Sequence, residues 1–234
     1  MSGLSQRPTV LIVGASRGLG LALAEEYLSR GWDVVGTVRG SARTGLHDLV
    51  ETTAGKLEIE RVDIVEPDQI EGLRGRLREC RFDLLFVNAG ISNGAAPTIA
   101  EVSTEEFTRL MVTNALAPLR TVEALQDLVP NTGTIAVMSS GLGSVANNES
   151  GAWETYRASK AALNTLMRSF AARHSADPRC LLVLAPGWVR TDMGGPTATL
   201  SIEESIPRLV DVVTGQSGRP GLRFLNYRGE TVPW

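Results

Sequence analysis

The sequence predicts an α/β fold, a single domain built on a doubly wound parallel sheet of about seven strands with helices on both faces. Three observations carry this expectation. Short β-branched or leucine-rich runs alternate with segments of helical spacing along the whole chain. The first run leads straight into a glycine-rich turn and a helical segment. Finally, the chain of 234 residues is 43% hydrophobic and has no internal repeat or low-complexity linker that would divide it.

Taken in order, the first strand is expected at residues 9–13, Thr-Val-Leu-Ile-Val. It ends in Gly14-Ala15-Ser16-Arg17-Gly18-Leu19-Gly20. A helix should follow over residues 19–30, with Leu19, Leu23 and Tyr27 at helical spacing and a stop at Gly31. The second strand is expected at 33–38, and further strands at 57–63, 84–88, 133–138, 181–185 and 222–226. Helical patterns occupy 68–78, 104–127, 155–173 and 202–213. In such a sheet a ligand lies beyond the carboxyl ends of the strands, so the loops that follow them are the places to look for function.

Composition excludes several functions. Net charge is -3 with no basic stripe, which argues against nucleic acid or an anionic membrane surface as partner. No apolar run approaches the roughly 18 residues of a membrane span, and residues 1–8 lack the apolar core of a signal peptide. A soluble, cytoplasmic protein is expected. Cys80 and Cys180 stand alone, and His47 and His174 are the only histidines, so neither a disulfide framework, a metal site nor a Ser-His-Asp arrangement is indicated.

Glycines at 14, 18 and 20 allow a tight turn and close approach of backbone to phosphate, and the helix behind them offers free N–H groups to a pyrophosphate. The bland alternative is a plain strand-to-helix turn. No Lys-Ser or Lys-Thr ends the motif, which disfavours an ATP or GTP loop. At the end of the second strand an acid would select NAD and a base NADP. Asp33 opens that strand, whereas Arg39 follows its end, and Arg17 lies in the glycine turn. Both arginines suit a 2′-phosphate, so NADP(H) is the preferred coenzyme, with NAD(H) possible; the alternative is two solvated surface charges.

Further along, Tyr156 and Lys160 are four apart in a helical pattern, which places an ammonium beside a phenol. A neighbouring positive charge favours the phenolate and tunes the phenol as a proton donor. Such a pair alone is common, and the rest of the chain gives it weight.

With these motifs in order, the sequence resembles the short-chain dehydrogenase/reductase family over nearly its whole length, which implies a Rossmann-type fold and hydride transfer with NAD(P). Gly14, Gly18 and Gly20, with Ser16, Arg17 and Leu19 between them, fall where the family has its Thr-Gly-x-x-x-Gly-x-Gly turn. Val13 replaces the threonine, which puts one turn-stabilising hydrogen bond in question. Asp63-Ile64 resembles the adenine-contacting pair, and Asn88-Ala89-Gly90 the Asn-Ala-Gly motif that flanks the coenzyme. By the same resemblance, Asn114, Ser140, Tyr156 and Lys160 are the catalytic set. Asn114 would hold a water that links Lys160 to solvent, Ser140 would bind the reacting oxygen, and Lys160 would also hold the nicotinamide ribose. The alternative for Asn114 is plain helix disruption near Pro118, and Ser139 and Ser144 compete with Ser140. Pro186, Gly187, Val189 and Thr191 match the segment that packs on the nicotinamide, Thr191 holding its carboxamide.

Ser140 precedes Tyr156 by 16 residues, a few more than is usual. This enlarged loop, with the run 187–195, is similar to the subgroup of sniffer-like carbonyl reductases and the C-factor signalling protein. Leu142, Trp153, Trp188 and Met193 are the expected apolar walls of the substrate pocket. Three functions follow: an NADPH-dependent reductase of aldehydes, ketones or quinones, a coenzyme-bound signalling or scaffold protein with little turnover, and a methyl-donor enzyme on a similar sheet. The last has no use for Tyr156 and Lys160. The partner is then a small carbonyl or alcohol. A homodimer or homotetramer is expected, because Leu163, Leu166, Met167 and Phe170 spread over a wide arc of the helix at 155–173 and relatives pair through it.

Overall fold

The computed structural model describes residues 7–94 and 98–234. Its strands are β1 (Thr9–Val13), β2 (Asp33–Val38), β3 (Leu57–Arg61), β4 (Leu84–Val87), β5 (Thr134–Met138), β6 (Cys180–Ala185) and β7 (Gly221–Asn226). They form one sheet in the order β3-β2-β1-β4-β5-β6-β7, and every pairing is parallel. Each expected strand is present, with its ends moved by at most two residues.

Strands that are covered on both faces need helices to cover them. These are α1 (Gly18–Ser29), α2 (Gly45–Val50), α3 (Pro67–Arg76), α4 (Thr104–Met111), α5 (Ala117–Leu125), α6 (Glu154–Arg173) and α7 (Ile202–Gln216). One face of the sheet buries Leu11, Leu85, Val137 and Val183 with Leu73, Val122 and Phe170 from α3, α5 and α6. The other buries Ile12, Phe86, Ala136 and Leu182 with Leu23, Tyr27, Leu46 and Leu209 from α1, α2 and α7. Strand order reverses between β1 and β4. The register sets Val13 level with Val87 and Val87 level with Val137, so the turns after β1, β4 and β5 open at one edge.

The structure departs from the expected elements at two places. Helix α2 has six residues and buries only Leu46, too short a stretch for a periodic signal. The single helix expected over 104–127 is instead α4, a π-helical turn at Val112–Leu116, α5, and a 3₁₀ turn at Gln126–Leu128. In the π turn the Ala117 N–H reaches Val112 O, five residues back. Pro118 supplies the cause. It has no N–H for the Asn114 carbonyl four residues earlier, and its ring crowds that carbonyl, so the turn widens.

The reasoning behind the expected dimer also needs correction, since Leu163, Met167 and Phe170 are spent on the protein's own core and only Leu166 stays exposed, at 37%. Among the described residues no helix is long and apolar enough to cross a membrane.

Candidate active site

The glycine turn is built by contacts that leave no room for side chains. Gly14 sits at φ +91°, and a Cβ there would lie 2.8 Å from Ala89. At Gly20 it would fall 2.0 Å from the Gly14 carbonyl oxygen. Asn88 Nδ2 donates to that same oxygen at 2.8 Å, and the Asn88 and Ala89 N–H groups both donate to Val13 O at 2.9 Å. A hydrogen bond that stabilises the turn comes from a residue the sequence did not single out. Thr37 Oγ1, buried in β2, accepts from the Gly14 N–H at 2.9 Å. The cradle therefore fits a dinucleotide, with Gly18 at φ +55° opening α1 toward it.

Beyond the end of β2, Arg39 is exposed, with no hydrogen-bond or ion-pair partner among the described residues, beside a groove of about 840 Å³ that Arg61, Asp68, Gln69 and Arg76 also line. Arg17 pairs with Asp192 at 3.1 Å. Both side chains are about four-fifths exposed (79% and 82%), and such a pair is worth at most about 1 kcal/mol, so it does not hold Arg17 from an anion. Asp63 and Ile64 follow β3, where the Asp63 N–H donates to Gln69 Oε1 at 2.9 Å and Ile64 is buried.

The expected catalytic residues gather beyond β4 and β5. Lys160 is 3% exposed, and its Nζ donates to Met138 O at 2.9 Å. No carboxylate pairs with it among the described residues, and burial lowers its pKa from 10.5 to about 8. Its Nζ lies 5.8 Å from the centroid of the Tyr156 ring. Tyr156 is half-buried by surface area, yet enough protein surrounds the phenol for burial to push its pKa up to about 12, against a smaller lowering by the Ser140 hydroxyl. Burial, and not the expected pull of Lys160, governs the phenol and holds Tyr156 protonated at neutral pH.

Of the three serines, Ser139 is buried and donates to Asn164 Oδ1 at 2.7 Å. Ser144 is buried and accepts from the Asn147 N–H at 3.2 Å. Ser140 accepts from the Leu142 N–H at 3.1 Å, which leaves its own proton to donate. Asn164 also donates to Gly143 O at 3.1 Å and so braces the loop behind Ser140.

Asn114, fully buried in the π turn, accepts from the Ile91 N–H and donates to Ile91 O, both at 2.8 Å, and donates to Ser159 Oγ at 3.0 Å. Both amide hydrogens are thereby used, so the expected amide that donates to a relay water has no hydrogen left for it. A Cβ on Gly90 would lie 3.3 Å from both Asn114 Oδ1 and Lys160 Nζ, which explains the glycine. Ser159 was not singled out either. Its hydroxyl donates to Tyr156 O at 2.7 Å and ties Asn114 to α6.

The segment after β6 closes the site. Pro186 O accepts from Ser205 Oγ at 2.7 Å, and Gly187, at φ +85°, leaves space that Leu200 and Tyr227 fill. Val189 is buried, and Thr191 Oγ1 accepts from the Gly194 N–H at 3.1 Å. Of the expected pocket walls, Leu142 and Trp153 are half-buried, whereas Trp188 and Met193 are exposed at 47% and 46%. Trp153 caps α6 in a left-handed conformation, φ +67°, which a bulky residue adopts only under strain. Its ring meets Tyr156 edge-on, with centroids 6.0 Å apart.

Comparison with known proteins agrees with this geometry. Residues 8–199 match the short chain dehydrogenase family. A short-chain dehydrogenase/reductase from Burkholderia multivorans, solved with bound NADP, is 58% identical and superimposes with a TM-score of 0.96 over 98% of this chain and 100% of its own. The carbonyl reductase Sniffer of D. melanogaster is 29% identical with a TM-score of 0.87, again over 98% of this chain and 100% of its own. C-signal of Myxococcus xanthus is 37% identical over 154 residues, 65% of this chain and 92% of that protein. By sequence and fold together, the chain belongs to the short-chain dehydrogenase/reductase family of NAD(P)-dependent oxidoreductases.

Proposed function

We propose that this protein reduces the carbonyl of an aldehyde, ketone or quinone to an alcohol with NADPH. The observation that carries the reading is the cluster of a protonated Tyr156, a Ser140 hydroxyl beside it, and a buried Lys160 at the same sheet edge as the glycine cradle. The likeness to NADP-bound and carbonyl-reducing relatives supports it.

The coenzyme supplies a hydride to the carbonyl carbon when bound. Gly14, Ser16, Arg17, Gly18, Leu19 and Gly20 receive its pyrophosphate. Arg39, with Arg17, takes the 2′-phosphate, and Asp63 and Ile64 flank the adenine. Asn88, Ala89 and Gly90 line the nicotinamide end with Pro186, Gly187 and Val189, and Thr191 takes the carboxamide. Ser140 donates a hydrogen bond to the carbonyl oxygen, and Tyr156 gives that oxygen its phenolic proton as charge develops on it. Lys160 holds the ribose hydroxyls, and with a pKa near 8 it exchanges protons close to working pH. Asn114 keeps a relay water through the second lone pair of Oδ1 and through a main-chain carbonyl that Pro118 leaves without an α-helical donor.

The chain pairs with a second copy across α5 and α6, where the exposed Leu116 and Leu166 border a groove of about 500 Å³ also lined by Ile70 and Leu119. A coenzyme-bound signalling role is the second reading, favoured by the likeness to C-signal. Purified protein assayed with a panel of aldehydes, ketones and quinones separates the two. The proposal expects turnover with NADPH in excess of NADH, and no turnover of any carbonyl by protein that binds NADPH would leave only the second reading.

A further inference from the structure

Large apolar side chains left exposed on the described residues fall in two places. Leu116 and Leu166 lie on the α5 and α6 side. Ile99, Val145, Trp188 and Met193 lie on the three loops that leave β4, β5 and β6 at the carboxyl edge. Trp188 has its one polar atom tied down, since Nε1–H donates to Gly194 O at 2.9 Å, so its exposed half is hydrocarbon. A Cβ on Gly194 would sit 2.0 Å from Val189 O, which shows how tightly that loop is wound under the Trp188 ring.

Charge on the same loops is one-sided. With the first residue of α6 they carry Glu101, Glu149, Glu154 and Asp192 against Arg190 alone. Arg190 donates to Ala198 O at 2.9 Å. Nearby cations are also occupied: Arg157 is buried and donates to Ala152 O and Ser150 Oγ, Lys160 donates to Met138 O, and Arg17 is given to the coenzyme's phosphates in the reading above, which leaves Asp192 unpaired. On these loops a carboxylate or phosphate on the substrate would meet four like charges and no cation without a partner. An anion brought to such a place is disfavoured unless it is paired.

We infer that the site accepts neutral, bulky apolar carbonyl compounds of aromatic or alicyclic type and discriminates against substrates bearing an anionic group near the carbonyl. This rests on the carbonyl-reducing reading above. Trp153 against Tyr156, with Trp188 and Met193 at the rim, forms the apolar wall, and Glu149, Glu154 and Asp192 repel anions.

Methyl 4-formylbenzoate and the 4-formylbenzoate anion, which share one ring and one aldehyde, test it with saturating NADPH. The ester should show kcat/KM at least about tenfold higher, a ratio that narrows as added salt screens the rim. Trp188→Ala and Met193→Ala should each raise KM for the ester with little change in kcat. Equal kcat/KM for ester and anion, or a ratio indifferent to salt, overturns the inference alone. Both variants altering the oligomer while leaving kinetics on the ester unchanged would also overturn it, because the apolar side chains would then serve assembly. Failure to reduce any carbonyl, with NADPH binding intact by fluorescence titration, overturns the parent reading instead.

Discussion

Replacing Lys160 by methionine should stabilise the coenzyme-free protein at pH 7 while removing its activity. Burial lowers the Lys160 pKa from 10.5 to about 8, and at roughly 1.4 kcal/mol per pH unit the charged form costs about 3 kcal/mol more in the folded chain than in the unfolded one. Its one hydrogen bond, to Met138 O, offsets part of this, and losing it costs about 1 kcal/mol. A methionine of similar length should therefore gain about 1–2 kcal/mol, or roughly 2–8 °C in Tm for a chain of this size. The gain has a pH signature. Between pH 8 and 10.5 the unfolded lysine holds a proton that the folded one has lost, so wild-type stability rises through that window. The variant's advantage is full below pH 8 and fades by about pH 10.5. Thermal unfolding of both proteins without coenzyme, at pH 7 and across that window, measures it. A variant less stable than wild type at pH 7, or a difference that does not change with pH, would refute the reasoning.

Other substitutions test separate parts of the account. Thr37→Val removes the acceptor of the Gly14 N–H and should cost about 1 kcal/mol of stability, with weaker NADPH binding by titration. Arg39→Asp should weaken NADPH at least about tenfold while sparing NADH, since one lost charge-assisted bond is worth about 1.5–3 kcal/mol; equal affinity of wild type for the two coenzymes contradicts the assignment. Leu166→Glu should convert the oligomer to monomer in light scattering, and a wild type already monomeric at micromolar concentration removes the proposed interface.

Most of the fold was legible because a parallel sheet imposes long, regular signals. Runs such as Val10-Leu11-Ile12-Val13 and Leu84-Leu85-Phe86-Val87 are buried on both faces and read as strands without ambiguity. Helix α2 was not legible for want of length, and the π turn was legible only as a disruption near Pro118, because a proline inside the segment 104–127 marks where a helix is disturbed but not whether it bends, ends or widens. The proposed site rests on residues whose type reveals their chemistry, Tyr156, Lys160 and the glycines. Residues that act through geometry escaped. Thr37 sits in a strand where any β-branched residue would serve the pattern, Asn164 is one polar position in a long helix, and the strained backbone of Trp153 leaves no mark in a sequence. Apolar spacing in α6 misled for the same reason. It distinguishes a buried face from a wet one, but not burial in the protein's own core from burial by a partner, and Leu163, Met167 and Phe170 belong to the former.

The most direct test of the account is turnover by Tyr156→Phe with an aromatic aldehyde and NADPH, measured beside NADPH affinity on the same preparation. Loss of the one acidic hydroxyl should lower kcat at least about a hundredfold, the usual contribution of a positioned acid, with fold and NADPH affinity unchanged. A variant that binds NADPH normally and turns over at a near wild-type rate would contradict the assignment of Tyr156 as the proton donor.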